Sequence, residues 1–397
     1  MLAAIRRQAS HPFWVLVGLR LAFLLLTACT LLWSPLHTRV PVQRAYNGTT
    51  DLLFGSFDRW DAENFIYIAR HGYNTLWTAA FFPLFPLALA GAHAVFRSYT
   101  VGGVLISLVA AGFGAWAVYE IARPLLGERG ARDSVLYLAL FPTAFVFTSP
   151  YSEGLFLALS AAAFLAALRG RPWLAALAGA LAVDVRSLGI ALIVPLVYLL
   201  WPRERREWWR PLPALVALPA AVGGYALYLH YKLGDALAFD HAQKFWNRAH
   251  PTLGPLGGLK EALESGLRSG DLVLRHLPRG MAGPAGYDKN MQDAFWNAIH
   301  LPIFLAAVAL TAVAWRRLGR AFGLYSAATL VLILNQPPTN FPLQSLPRYL
   351  LCDFPILIAL AALTLNRPAA RTWVIASFAV VGAIAGVAFA RDTIWIT

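Results

Sequence analysis

The chain has 397 residues, 58% of them hydrophobic and only 13% charged, with a formal charge of +13. This balance, with apolar runs repeated along the chain, excludes a soluble multidomain enzyme and indicates an all-α polytopic membrane protein, residues 1–397 forming one membrane-embedded body. The basic excess does not mark a nucleic-acid partner, because the arginines gather in short loops between apolar runs and so signal orientation in a bilayer.

Only four of the 33 basic residues are Lys, a bias that with abundant Ala and Leu suggests a GC-rich bacterial genome and hence a cell membrane. Cys29 and Cys352 provide neither a disulfide framework nor a metal motif. Arg6 and Arg7 precede the apolar run His11–Trp33, which reads as an uncleaved first span with a cytoplasmic N-terminus.

The first outer loop, 34–99, holds the densest run of ionisable and aromatic residues, from Phe57 to Tyr73. It reads as a short helix capped by Asp51 or Ser56 and ended by Gly72 in the left-handed region. Asp58 and Asp61, three apart, are expected on one face of it. Phe57, Trp60, Phe65 and Ile68 supply an apolar side, so the helix should lie along the membrane surface. The apolar piece from Phe81 to Phe96 is short for a crossing and is also placed in the interface.

Val101–Ile121 then enters the cytoplasm, followed there by Arg123, Arg129 and Arg132. Ser134–Thr148 exits, and Gly154–Leu168 returns to Arg169 and Arg171. Trp173–Val183 exits, and Leu188–Trp201 returns to the basic loop Arg203–Arg206. Leu212–Tyr231 exits into a large outer loop, 232–295, with a helix expected near Leu259–Leu277. Phe295–Trp315, Phe322–Leu334, Tyr349–Leu365 and Thr372–Ala390 complete about eleven spans, several of them short.

On this topology the polar residues that need explaining face the outer side: Asp58, Asp61, His71 and Tyr73, then Tyr151 and Glu153, then Asp184 and Arg186, then Gln344, Arg348 and Tyr349. Ionisable groups at the rims of apolar helices are costly unless they pair or bind something. They suit group transfer from a lipid-linked donor. Arg186 or Arg348 would hold a phosphate leaving group in a fork. Asp61 or Asp58 would take the proton of an acceptor hydroxyl. One carboxylate without a covalent intermediate implies single displacement with inversion.

The run Arg59-Trp60-Asp61-Ala62-Glu63 through Ile68-Ala69-Arg70-His71-Gly72-Tyr73 resembles the first luminal loop of the PIG-V family, the GPI mannosyltransferases that add the second mannose. Phe81-Phe82-Pro83-Leu84-Phe85-Pro86-Leu87, Tyr151-Ser152-Glu153-Gly154-Leu155-Phe156 and Val185-Arg186-Ser187-Leu188-Gly189 follow in the same order. The resemblance implies a GT-C glycosyltransferase fold with juxtamembrane helices in the first outer loop, an essential Asp there, and a polyprenyl- or dolichyl-phosphate-mannose donor. The Trp-Asp pair is the centre of the matched motif, which favours Asp61 over Asp58 as base.

Arg186 and Arg348 are then expected at the donor phosphate. Asp58, Arg59, Trp60, His71, Tyr73, Tyr151, Glu153, Gln344 and Tyr349 are expected around the pocket. Trp60 and Tyr73 equally suit interfacial anchoring. The partners expected are a polyprenyl-phosphate-linked sugar, a glycan, glycolipid or protein acceptor, and membrane lipids. The sequence assigns no cofactor beyond the lipid-phosphate-sugar co-substrate, and Asp58, Asp61 and Glu153 could offer oxygen ligands to a divalent ion. A lipid-sugar flippase or transporter, a GT-C enzyme for another sugar, and a non-catalytic membrane subunit are the alternatives.

Overall fold

A computed structural model describes residues 2–33, 55–202, 204–276, 282–283, 286–287 and 289–391. Apart from a two-residue antiparallel pairing of Ala282–Gly283 with Gly286–Tyr287, the described residues are helical or irregular. The helices are α1 (Leu2–Trp33), α2 (Asp61–His71), α3 (Leu84–Phe96), α4 (Tyr99–Leu140), α5 (Glu153–Leu168), α6 (Pro172–Val185) and α7 (Ile193–Leu200). There follow α8 (Leu212–Leu233), α9 (Pro255–His276), α10 (Lys289–Val313), α11 (Arg320–Asn335), α12 (Leu346–Cys352), α13 (Phe354–Thr364) and α14 (Pro368–Ala390).

Five described stretches are long and apolar enough to cross a membrane: Pro12–Thr30, Tyr99–Leu140, Arg205–Leu233, Asp293–Leu318 and Pro368–Ala390. The pair α12 and α13, bent by 78°, makes a sixth if it counts as one span. The expected total of about eleven is therefore corrected. Leu84–Phe96, Glu153–Leu168, Pro172–Val185, Ser187–Leu200 and Arg320–Asn335 are apolar but have only 10–17 residues. At 1.5 Å per residue such helices fall short of a hydrocarbon layer of about 30 Å. The chain is a multi-pass membrane protein, and its lipid-facing surface carries exposed Trp14, Leu25, Val216, Val380 and Ile384.

The spans expected on either side of Arg123 fall in α4, which is two helical segments joined across a kink at Gly127 (φ 69°, ψ −176°), with Pro124 just before it. Proline removes a ladder donor, and only glycine enters that backbone region without strain, so the bend is set by these two residues. α4 is the spine of the body. It packs against α1, α3, α5, α13 and α14. In the large outer loop, α9 forms close to where a helix was expected and packs on α10 and α11.

Two local features position the site. The first is the near contact of α4 and α5. Gly154 lies so close to α4 that a Cβ on it would sit 2.2 Å from the Ser107 carbonyl oxygen. The Ser107 hydroxyl also donates to the Tyr151 carbonyl at 2.7 Å. Gly154→Ala is therefore expected to push α5 off α4 and destabilise the protein by about 1–3 kcal/mol. The fall in the midpoint of thermal unfolding in detergent is the measurement. The second feature is the bend between α12 and α13. Asp353 (φ −82°, ψ 70°) interrupts the helix, and Pro355 begins the next one without an N–H to continue the ladder. The Ser326 hydroxyl pins Asp353 at 2.6 Å. The short leg α12 is thereby turned away from α13 and carries Arg348 and Tyr349.

Candidate functional site

The helix in the first outer loop starts later than its sequence suggests. α2 begins at Asp61, after Trp60, whose backbone is left-handed (φ 58°, ψ −117°). A tryptophan there is strained and persists only where its surroundings over-determine it. Those surroundings are visible. The Tyr151 hydroxyl donates to the Arg59 carbonyl at 3.1 Å, and the Arg59 guanidinium donates to the carbonyls of Ser56 (3.1 Å) and Ala390 (3.2 Å). Ser56 thus serves Arg59 and does not cap α2, and Asp51 lies outside the described residues. Gly72 does close the helix with positive φ (71°), but at ψ −165° rather than in the left-handed helical basin.

Because the helix starts at Asp61, Asp58 and Asp61 do not share a helical face. Asp58 precedes the helix and accepts a hydrogen bond from Thr100 at 3.0 Å. α2 buries Ala62, Phe65, Ile66 and Ile68 and leaves Glu63, Arg70 and His71 exposed, as a helix on a surface should.

Asp61 meets Arg348. The Arg348 Nη2 donates to Asp61 Oδ2 at 2.6 Å, and its Nε donates to Glu153 Oε1 at 2.8 Å. Arg186 Nη1 reaches the same Glu153 oxygen at 2.6 Å and also donates to the Ser152 hydroxyl at 3.1 Å. Glu153 is 1% exposed and Arg348 4%. Two guanidiniums and two carboxylates therefore form one desolvated network that joins α2, α5, the end of α6 and α12. Its charges balance, which is what allows them to be buried. Aromatic faces complete it, with Arg348 over Tyr151 at 5.0 Å and Arg186 over Tyr349 at 5.5 Å.

Above the network lies a cavity of about 500 Å³. Trp60, Asp61, Arg186, Gln344, Arg348 and Tyr349 are among its lining residues. Glu153 and Tyr151 lie beneath, in the network rather than the lining. Asp58 and Arg59 are not among the lining residues; they bond Thr100 and the Ser56 and Ala390 carbonyls respectively.

His71 and Tyr73 are not among the lining residues. His71 sits exposed at the end of α2, its Nδ1 3.0 Å from the Tyr67 carbonyl oxygen. Tyr73 is buried and donates to the Phe81 carbonyl at 2.7 Å, and burial pushes its phenol well above the usual range, so it stays neutral. Asp58, Asp61 and Glu153 do not assemble as a metal ligand set. Among the described residues no group of three or more His, Cys, Asp or Glu side chains is placed to hold a metal ion.

The sequence reading missed one wall. Asn64, Gln243, Trp246, Arg248 and Gln336 line the cavity from α2, from the large outer loop and from the segment after α11. The run Phe245-Trp246-Asn247-Arg248 is a second aromatic and basic stretch in an outer loop, and that is the signal that could have located this wall.

Comparison with known proteins agrees with this architecture. A family profile described as dolichyl-phosphate-mannose-protein mannosyltransferase matches residues 80–225. GPI alpha-1,6-mannosyltransferase 2 of Rattus norvegicus is 31% identical over 306 residues, covering 69% of this chain and 61% of the relative. The Mus musculus protein of the same name is 32% identical over 224 residues, 48% of this chain and 45% of the relative. The Homo sapiens protein is 34% identical over 149 residues, 35% of this chain and 30% of the relative. The chain thus spans less than two thirds of the length of these relatives. No solved structure gives a significant match. The chain is thus similar over residues 80–225 to the dolichyl-phosphate-mannose-protein mannosyltransferase profile, and over longer stretches to mammalian GPI alpha-1,6-mannosyltransferase 2.

Proposed function

We propose that this protein moves mannose from a polyprenyl-phosphate-mannose donor to an acceptor hydroxyl, with the reaction centred on Asp61. The observation that carries this reading is the placement of that carboxylate. Arg348 holds Oδ2, and Asp61 is one of the residues that line the cavity. In the transfer, the acceptor oxygen attacks the anomeric carbon and its proton passes to Asp61. The bond from that carbon to the phosphate oxygen breaks, and its electron pair leaves on the phosphate. One displacement inverts the anomeric centre.

Arg186 and Arg348, paired with Glu153 and Asp61, keep the cavity floor electrostatically neutral. Glu153 fixes both guanidiniums, so their positions are set before the donor enters. Trp60, Gln344 and Tyr349 frame the sugar, and Ser152 and Tyr151 brace the cations. The acceptor would be a glycan, glycolipid or protein hydroxyl reached from the extracytoplasmic side of a cell membrane, with the N-terminus in the cytoplasm.

The test is direct. The purified full chain in nanodiscs is incubated with radiolabelled polyprenyl-phosphate-mannose and a membrane glycan fraction. Label is expected to move to the acceptor with release of polyprenyl phosphate. Vectorial movement of the intact donor across the bilayer without release would instead support the lipid-sugar transporter.

A further inference from the structure

We infer that Arg248 is the residue that binds the phosphate group of the lipid-linked donor, an inference that rests on the proposed function and assigns a subsite to it. The ground is the distribution of charge around the cavity. Arg348 and Arg186 already meet carboxylates, the first those of Asp61 and Glu153 and the second that of Glu153. Those two cations and two anions cancel.

Among the described residues of the lining, the remaining charged side chain is Arg248. Its described partners are neutral. Nη1 donates to the Gln336 carbonyl at 3.2 Å, and Nη2 donates to the Tyr349 hydroxyl at 3.1 Å. Among the described residues, these three guanidiniums stand against Asp61 in the lining and Glu153 beneath it, which leaves one positive charge in excess. A phosphodiester linking a sugar to a lipid carries one negative charge, so the excess is matched by that ligand class.

The backbone shows that Arg248 is fixed in place rather than drifting on a loop. Arg248 bridges Pro338 in antiparallel fashion. The Ala249 N–H donates to the Pro337 carbonyl at 3.4 Å, and the Thr339 N–H donates to the Asn247 carbonyl at 2.9 Å. A second tie stands beside it. His250 Nε2 lies 3.0 Å from Asp240 Oδ1, and Gln336 donates to the same carboxylate oxygen at 2.9 Å. The large outer loop is thereby fastened to the segment after α11, and its guanidinium is held on Tyr349, the aromatic ring that also stacks under Arg186. Tyr349 thus separates the excess cation from the neutralised pair.

The experiment titrates polyprenyl phosphate into the full chain in nanodiscs, comparing wild type with R248Q, R248K and D61N, with inorganic phosphate as a second probe. R248Q is expected to weaken polyprenyl phosphate binding about tenfold or more and to raise KM for the donor with kcat changed much less. R248K should recover part of the loss, which a merely structural role would not predict. D61N, which takes one negative charge from the cavity, should bind polyprenyl phosphate at least as tightly as wild type, and weaker binding by D61N than by wild type would overturn the charge argument.

Unchanged binding by R248Q in a preparation whose wild type transfers mannose would overturn the inference and leave the proposed function standing. Binding that depends on Arg248 in a wild type that transfers no mannose would remove the proposed function and keep the phosphate subsite. Displacement of the lipid by inorganic phosphate at equal concentration would overturn the assignment to a lipid headgroup.

Discussion

Asp61→Asn is expected to lower mannose transfer by about 10²–10⁴-fold, the usual contribution of a positioned general base. Asparagine keeps the size of the side chain and an oxygen that can accept from Arg348, but it cannot take a proton from the acceptor. The loss should fall on kcat, because the hydroxyl still finds its place in the cavity. Initial rates with saturating polyprenyl-phosphate-mannose are the measurement, and a thermal unfolding curve in the same detergent shows whether the variant is folded. A folded variant that retains near wild-type turnover would leave Asp61 as no more than the counter-ion of Arg348. Asp61→Glu is the companion variant. It keeps the basicity but moves the oxygens by one methylene, so an intermediate rate would argue that position as well as charge is required.

Glu153→Gln should act on the fold before it acts on the chemistry. The carboxylate lies 2.6 Å from Arg186 and 2.8 Å from Arg348 and is almost fully buried. Removing its charge leaves two guanidiniums facing each other with only Asp61 to offset them. Breaking one side of a buried ionic network costs about 3–5 kcal/mol, because the remaining charge stays desolvated. A marked fall in the unfolding midpoint is expected, larger than that of Gly154→Ala. The double variant Glu153→Gln, Arg186→Gln should recover part of the stability, since it removes the cation left over. A single variant as stable as wild type would show that the network carries little of the fold's free energy.

The contrast between what could and could not be read from the chain is physical. Apolar runs of about 20 residues announce themselves by composition alone, so α1, α8, α10 and α14 were legible. The count of full crossings was not, because a 14-residue apolar helix such as α6 and a true span share the same composition and differ only in length. The start of α2 was shifted because Trp60 sits in a backbone region that no propensity anticipates. Its neighbour Arg59 is anchored by Tyr151 and Ala390, residues remote in sequence.

Asp61, Arg186, Glu153 and Arg348 stood out because charges among apolar residues are conspicuous. What the sequence could not convey is that Glu153 would occupy both arginines at once. Arg248 escaped notice for the opposite reason. It lies in a polar loop where one more arginine is unremarkable, and its partner Tyr349 is 101 residues away.

The reach of Arg348 has a consequence for how the molecule is made. It bonds acids that precede it by 287 and 195 residues. A nascent chain delivered N-terminus first therefore inserts α2 and α5 long before α12 leaves the ribosome. Until then Asp61 lacks its partner and Glu153 relies on Arg186 alone. The chamber is sealed late in biogenesis, so membrane quality control will meet an interrupted translation product as a body with an unsecured surface helix and a half-compensated acid.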